Sequence, residues 1–270
     1  MRQRTGQQQN KPTLLITGGS SGIGKATVQL FAERGWQVFE LSRHGETGTN
    51  IRHIACDVTD AKSVDSAVEQ VLQETQKLDV VIANAGYGIS GTVEFTAIED
   101  VHHQFDVNFF GALHLAQAVL PQLRKQQGGT LIFTSSVAAV LSVPYQAFYS
   151  ATKAAINAMA LALQNEVRDF DIHVSVLMPG DVATGFTAAR NKSQAGEAIY
   201  KTAHKAVATM EHDEQHGLQP ETMALDFWRI ANKHNPAPQY IGGASYKLLC
   251  FLDRILPKRL VNWIEYKVYS

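Results

Sequence analysis

Cysteine is nearly absent: two residues in 270, Cys56 and Cys250, far apart in the chain. That excludes a scaffold stapled by disulfides and fits a reducing compartment. Charge of one sign is not in excess either. Twenty-four Lys and Arg stand against 25 Asp and Glu, a net charge of −1, so no global field draws the molecule to nucleic acid or to an anionic membrane. No run of ~18 apolar residues occurs, and no transmembrane helix is expected. The opening MRQRTGQQQNKP is polar and lacks the apolar stretch of a secretory leader, so residues 1–11 read as a frayed polar tail and the cytoplasm as the default location. Metal ligands are sparse. His212 and His216 lie at i, i+4, but within the charged stretch EHDEQH, which reads as a solvated helix face; no metal is expected.

What remains is a globular composition, 45% hydrophobic and 18% charged, in a length that suits one large α/β domain. Short apolar runs alternate with longer amphipathic ones. TLLIT (13–17), WQVFELS (36–42), RHIAC (52–56), LDVVIANAG (78–86), GGTLIFTSS (128–136) and DIHVSVLMPG (171–180) read as strands. Helices are expected over 22–35, closed by glycine, over 61–76 with Asp60 as N-cap, over about 98–125 with Pro121 as a kink or stop, through Tyr149 and Lys153 to about Phe170, and after Pro220-Glu221. Strands apolar on both faces and separated by helices imply a doubly wound, Rossmann-type parallel α/β sheet of about seven strands, covered on both sides. One domain is expected over 12–244, with a less regular flap at 185–220 and a helical extension at 245–270. The polar or glycine-rich loops TGGSSGIG, CDVTD, NAGYG, SSVAA and PGDVAT each follow a strand, so they gather at one edge of the sheet, where ligands of such folds sit.

Two of these segments suggest chemistry. In Gly18-Gly19-Ser20-Ser21-Gly22-Ile23-Gly24, glycines between a strand and a helix allow close approach to a pyrophosphate at a helix N-terminus. In YSATK, Tyr149 and Lys153 share one helix face. An ammonium so close would lower the phenol's pKa and make it a proton donor or acceptor near neutral pH.

Taken together these segments resemble the short-chain dehydrogenases/reductases over about residues 12–242. TGGSSGIG resembles the cofactor loop, Asn84-Ala85-Gly86 the sheet-stabilising NAG, Pro179-Gly180 with Val182 and Thr184 the PGxxxT segment, and Asn108, Ser136, Tyr149 and Lys153 the catalytic tetrad. The resemblance implies that Lys153 depresses the Tyr149 pKa and holds the nicotinamide ribose. It also implies that Tyr149 exchanges a proton with a carbonyl or alcohol oxygen, that Ser136 (rather than its neighbour Ser135) hydrogen-bonds that oxygen, and that Asn108 holds a water of a proton relay. Asp57-Val58 resembles the adenine-binding pair, although Asp57 also reads as an ordinary loop cap. Ser42 and Arg43 after the second strand suit the 2′-phosphate of NADP(H), which guanidinium binds in bidentate fashion. The competing reading makes Glu40 the selector and NAD the cofactor. Homodimers or homotetramers through the helices holding Asn108 and Tyr149 are implied by the same resemblance.

The expected function is NADP(H)-dependent carbonyl reduction or alcohol oxidation, the alternatives being a non-catalytic nucleotide-binding regulator and an epimerase or dehydratase. Val137, Val140, Leu141, Val143, Pro144, Phe148, Phe186 and Ala188 are expected to wall an apolar or lipid-like substrate. The tail at 245–270 mixes apolar and basic residues at helical spacing. It reads either as an element lying on a membrane or as two short helices, broken at Pro257, over the cleft or a subunit interface. Asp253 and Glu265 interrupt the basic face and favour the second reading.

Overall fold

A computed structural model describes residues 11–269; the tail expected over 1–11 lies outside them except for Lys11. The elements run β1 Thr13–Thr17, α1 Gly22–Glu33, β2 Gln37–Ser42, β3 Ile51–Ala55, α2 Ala61–Glu74, β4 Val80–Ala83, β5 Ile89–Ser90 and α3 Ile98–Phe105. A π-turn, Asp106–Phe110, joins α3 to α4 Gly111–Gln126. Then come β6 Gly129–Thr134, α5 Ala147–Glu166, β7 Ile172–Met178, α6 Phe186–Ala189, β8 Asn191–Lys192, α7 Ala203–Gln215, α8 Pro220–Ala231, β9 Gln239–Ile241, α9 Ala244–Ile255 and α10 Lys258–Tyr269.

Seven strands form one sheet in the order β3-β2-β1-β4-β6-β7-β9, and every neighbouring pair is parallel. The reason is visible in β1 and β4, all of whose residues are buried: a strand apolar on both faces needs cover on both, and crossover helices supply it. On one face Leu15, Phe39, Val81, Leu131 and Val176 pack with Val64 and Val71 of α2, Leu115 and Val119 of α4 and Ile156 of α5. On the other, Leu14, Ile16, Val38 and Ile82 pack with Val28 and Phe31 of α1 and Phe227 and Ile230 of α8. This is the doubly wound fold the alternating pattern predicts. Gly35, at φ 83°, closes α1 by donating its N–H to Ala32 O at 3.0 Å, and Trp36 then folds edge-on against Phe31 and Trp228.

Three departures are instructive. Pro121 neither stops nor ends its helix, since α4 continues to Gln126. Leu115, Val119 and Leu123 are fully buried on its inner face, and that packing outweighs the hydrogen bond a proline removes, which costs ~3 kcal/mol. The less regular region 185–220 also encloses an element that its reading leaves out, the thirteen-residue α7, beside the short α6 and β8. The third is β9, three residues long and only partly buried, too short for a periodic signal.

Candidate active site

The loops after β1, β2, β3, β4, β6 and β7 meet around a cleft of about 560 Å³. Gly18, Ser20, Ser21, Gly22, Ile23, Gly24, Ser42, Arg43, Asp57, Val58, Asn84, Ala85, Gly86, Pro179, Gly180, Val182 and Thr184 all line it, as do Ser136, Tyr149 and Lys153. Asn108 stands behind this wall, fully buried.

The glycine loop is shaped by close approach. Gly18 adopts φ 67° and donates its N–H to Leu41 O at 2.8 Å, and a Cβ on it would lie 2.8 Å from Ala85 Cα. At Gly24 a Cβ would lie 2.1 Å from Gly18 O, so the loop folds directly over the first turn of α1. Ser21, the N-cap of α1, leaves the first-turn amides without a side-chain cap, and that turn carries no acidic residue. Free amides and the positive end of a helix dipole therefore face the cleft, the donor set a pyrophosphate needs. Asn84 anchors the loop from β4: its Nδ2 donates to Thr17 O at 3.2 Å and Gly18 O at 3.1 Å. Gly24→Ala is expected to cost about 1–3 kcal/mol of overpacking strain, read as a lower midpoint in chemical denaturation together with weakened dinucleotide binding.

Glu40 does not reach the cleft. It is buried; its Oε1 accepts the Gly19 N–H at 2.9 Å, and its Oε2 lies 2.6 Å from His53 Nδ1. A carboxylate so engaged braces the loop from behind. Ser42 and the exposed Arg43 occupy the rim instead. Asp57 serves as a loop cap while lining the cleft: Oδ1 accepts from Thr59 N at 2.9 Å and Thr59 Oγ1 at 2.8 Å. Those bonds hold its carboxyl below the ordinary range, with a smaller pull from Arg43.

Tyr149 lies in the first turn of α5, with Lys153 one turn on. Lys153 Nζ donates to Thr134 O at 2.8 Å and lies 5.7 Å from the centre of the Tyr149 ring. Ser136 Oγ accepts the Ala138 N–H at 3.1 Å, capping a short 3₁₀ turn, and its hydroxyl lies near enough to the Tyr149 phenol to favour the phenolate. Ser135 points elsewhere, donating to Lys153 O at 3.1 Å. Asn108 sits in the π-turn, a common way of re-aiming one side chain. Its Nδ2 donates to Tyr87 O at 3.0 Å and Thr152 Oγ1 at 3.1 Å, and its Oδ1 accepts from Tyr87 N at 2.9 Å. Both donors are spent, and one acceptor lone pair is left for a water.

The electrostatics differ from the simple reading of the Tyr–Lys pair. Desolvation in the cleft wall pushes the Tyr149 phenol up, not down, to about 12, with the neighbouring Ser136 hydroxyl pulling the other way. Burial likewise draws the Lys153 ammonium down to about 8. A cation itself starved of water, at 5.7 Å from the ring, does not offset the cost of a phenolate in a low-dielectric site.

On the substrate side, Val137, Val143 and Phe186 line the cleft, but Val140, Leu141, Pro144, Phe148 and Ala188 do not. The chain turns at Tyr145, in the left-handed region at φ 62°, between Val143 and Gln146, which both line the opening. The Phe186 ring packs against that of Tyr149 at a tilt of 59°, with centres 5.7 Å apart. Asp213 and Glu214 from α7 and Tyr269 from α10 complete the wall; the charged stretch of α7 reads as solvated from sequence, and no local pattern brings α10 to the site. Glu214 is held by the buried Arg190 and by Thr187 Oγ1 at 2.6 Å. His212 and His216 merely stack, with ring centres 4.2 Å apart, and no cluster of metal ligands occurs among the described residues.

Residues 12–195 match the family described as short chain dehydrogenase. A 3-ketodihydrosphingosine reductase of Bacteroides thetaiotaomicron is 40% identical over 227 residues, covering 83% of this chain and 84% of that protein. An NADPH-dependent 3-dehydrocapnine reductase of Ornithobacterium rhinotracheale is 29% identical over 273 residues, 94% of this chain and 95% of the other. The crystal structure of a short-chain dehydrogenase from Streptomyces avermitilis superposes with a TM-score of 0.81 at 26% identity, over 95% of this chain and 97% of that one. With the parallel sheet, the glycine turn and this coverage together, the chain belongs to the short-chain dehydrogenase family of oxidoreductases.

Proposed function

We propose that this protein is an NADP(H)-dependent oxidoreductase that interconverts a carbonyl and an alcohol, with Tyr149 as general acid and base. The observation that carries the reading is the convergence of the Tyr149 phenol, the Ser136 hydroxyl and the Lys153 ammonium on the wall of the cleft that the glycine loop opens. When bound, a dihydronicotinamide supplies the hydride. The chain supplies the rest. Tyr149 O–H gives its proton to the carbonyl oxygen, and takes it back in the oxidative direction. Ser136 Oγ–H donates to the same oxygen and stabilises the charge that develops there. Lys153, fixed by Thr134 O, keeps N–H donors for the ribose hydroxyls. Asn108 uses its remaining lone pair to hold a water leading from Lys153.

NADP(H) is favoured over NAD(H) because Glu40 is committed to Gly19 and His53, while Arg43 is exposed at the rim beside Ser42, whose hydroxyl donates to His44 O at 2.9 Å and keeps its lone pairs as acceptors. Arg43→Ala is expected to weaken NADPH binding about tenfold to a hundredfold, the worth of a charge-assisted bond to phosphate, and to leave NADH within about twofold. Fluorescence titration of both cofactors reads this, and equal losses for the two would return the selection to Glu40.

The substrate we infer is a ketone bearing a long apolar chain, in keeping with Val137, Val143, Phe186 and Met210 at the cleft and with what the two relatives are named for. NADPH consumption against a panel of ketones, 3-ketodihydrosphingosine included, tests it. Tight NADPH binding with no carbonyl ever consuming the cofactor would favour a regulator. Association through the helices bearing Asn108 and Tyr149 is consistent with Phe110 and Leu161, both exposed there.

A further inference from the structure

The net charge of the whole chain conceals a local asymmetry. Between Ala244 and Tyr269 lie Lys247, Arg254, Lys258, Arg259 and Lys267 against only Asp253 and Glu265. In linear order the two acids argue against a basic face, but neither is on the outside. Asp253 is buried, with both oxygens 2.6 Å from Lys258 Nζ. Glu265 is half-buried on the inner face of α10, in step with the buried Val261 and with Tyr269 at the cleft.

What the two helices present outward is apolar. In α9, Leu248, Phe251 and Ile255 recur three and four residues apart on the face opposite the buried Cys250 and Asp253, and each is 58% exposed. In α10, Leu260, Trp263 and Ile264 share the outer face, Trp263 at 57% exposure. Arg254, Arg259 and Lys267, all exposed, flank these stripes, and Lys267 Nζ lies 5.8 Å from the exposed Tyr266 ring. Two outward apolar stripes edged by cations and amphipathic rings exceed the scatter of single apolar residues normal for a soluble surface. They are the arrangement of helices that lie in the plane of a bilayer interface.

We infer that the outer face of the α9–α10 pair docks this protein on an anionic phospholipid bilayer. The excess of basic residues complements acidic headgroups, whereas a second copy of the chain would set the same cations against themselves. The position fits as well: Tyr269 lines the cleft from the inner face of α10, so the docked surface and the substrate opening adjoin. The inference does not depend on the redox assignment, because docking is read without turnover.

Sedimentation of the full chain with phosphatidylcholine vesicles, with and without phosphatidylglycerol, tests it. Binding is expected only with the anionic lipid, and it should fall sharply at about 1 M salt, where charges are screened within ~3 Å. Arg259→Ala combined with Lys267→Ala should weaken vesicle binding by at least about tenfold, since each basic residue near such a surface is worth roughly fivefold. Trp263→Glu should abolish binding, and circular dichroism and NADPH affinity should stay at parental values because these side chains point outward. Failure of the parent to sediment with the anionic vesicles overturns the inference, as does undiminished binding by both variants. Light scattering on the parent and on Leu248→Glu covers the other occupant: a dimer that this substitution dissociates, with no vesicle binding, assigns the face to self-association instead.

Discussion

Tyr149→Phe is expected to lower kcat for carbonyl reduction by about a thousandfold, within the range a positioned general acid contributes, while NADPH affinity stays within about twofold. The substitution removes one oxygen and keeps the ring that packs 5.7 Å from Phe186. It leaves Lys153 its bond to Thr134 O, so the lysine that would hold the ribose stays in place and only the phenol's contact with Ser136 is given up. A phenol pushed up to about 12 by burial is fully protonated at neutral pH. It is therefore loaded to act as the acid in reduction, and poorly prepared to act as the base in alcohol oxidation. Oxidation by the parent should climb steadily with pH, and reduction should not gain from alkali. Stopped-flow and steady-state rates across pH read both directions. A Tyr149→Phe protein retaining kcat within a few-fold of the parent would remove Tyr149 from the chemistry.

The doubly wound sheet and the cluster of loops at one edge are legible in the sequence because they rest on local periodicity. Apolar runs of four to seven residues divided by amphipathic helices leave little but a covered parallel sheet, and loops after parallel strands must share an edge. What is not legible comes from long range. Glu40 resembles a cofactor selector by strand parity, but Gly19 and His53 claim both its oxygens, and no spacing in the sequence reports that. Tyr269 reaches the cleft from the far end of the chain. Asp253 and Glu265 seem to spoil a basic helix face only because linear order does not say which side of a helix is turned inward. The sign of the Tyr149 shift is hidden for the same reason: spacing puts the lysine near the ring, but only burial decides the solvation cost of the two charges.

Lys153→Met is expected to abolish reduction while leaving the protein at least as stable as the parent near pH 7, a separation of function from stability that follows from burial. The unfolded chain keeps its lysine proton up to the ordinary value of 10.5, and the folded chain releases it at about 8. Between those values the unfolded state binds more protons, so this group makes folding more favourable as pH rises through the window. Below it, the parent carries the cost of an ammonium withdrawn from water, roughly 3 kcal/mol for a shift of that size. A methionine of similar length removes that cost and gives up the bond to Thr134 O, a loss of about 1–3 kcal/mol if the carbonyl finds no other partner. The two terms oppose each other, and the balance is near zero or stabilising. Other buried groups titrate in the same region, Cys56 among them at about 11, but they are common to both proteins and cancel in the difference. Urea denaturation of parent and variant at a series of pH values isolates the lysine. The parent should gain on the variant by up to ~3 kcal/mol as pH rises from about 8 toward 10.5, and a difference that stays flat, or runs the other way, would mean that Lys153 is as well solvated as an exposed lysine and that the site is wetter than its packing implies.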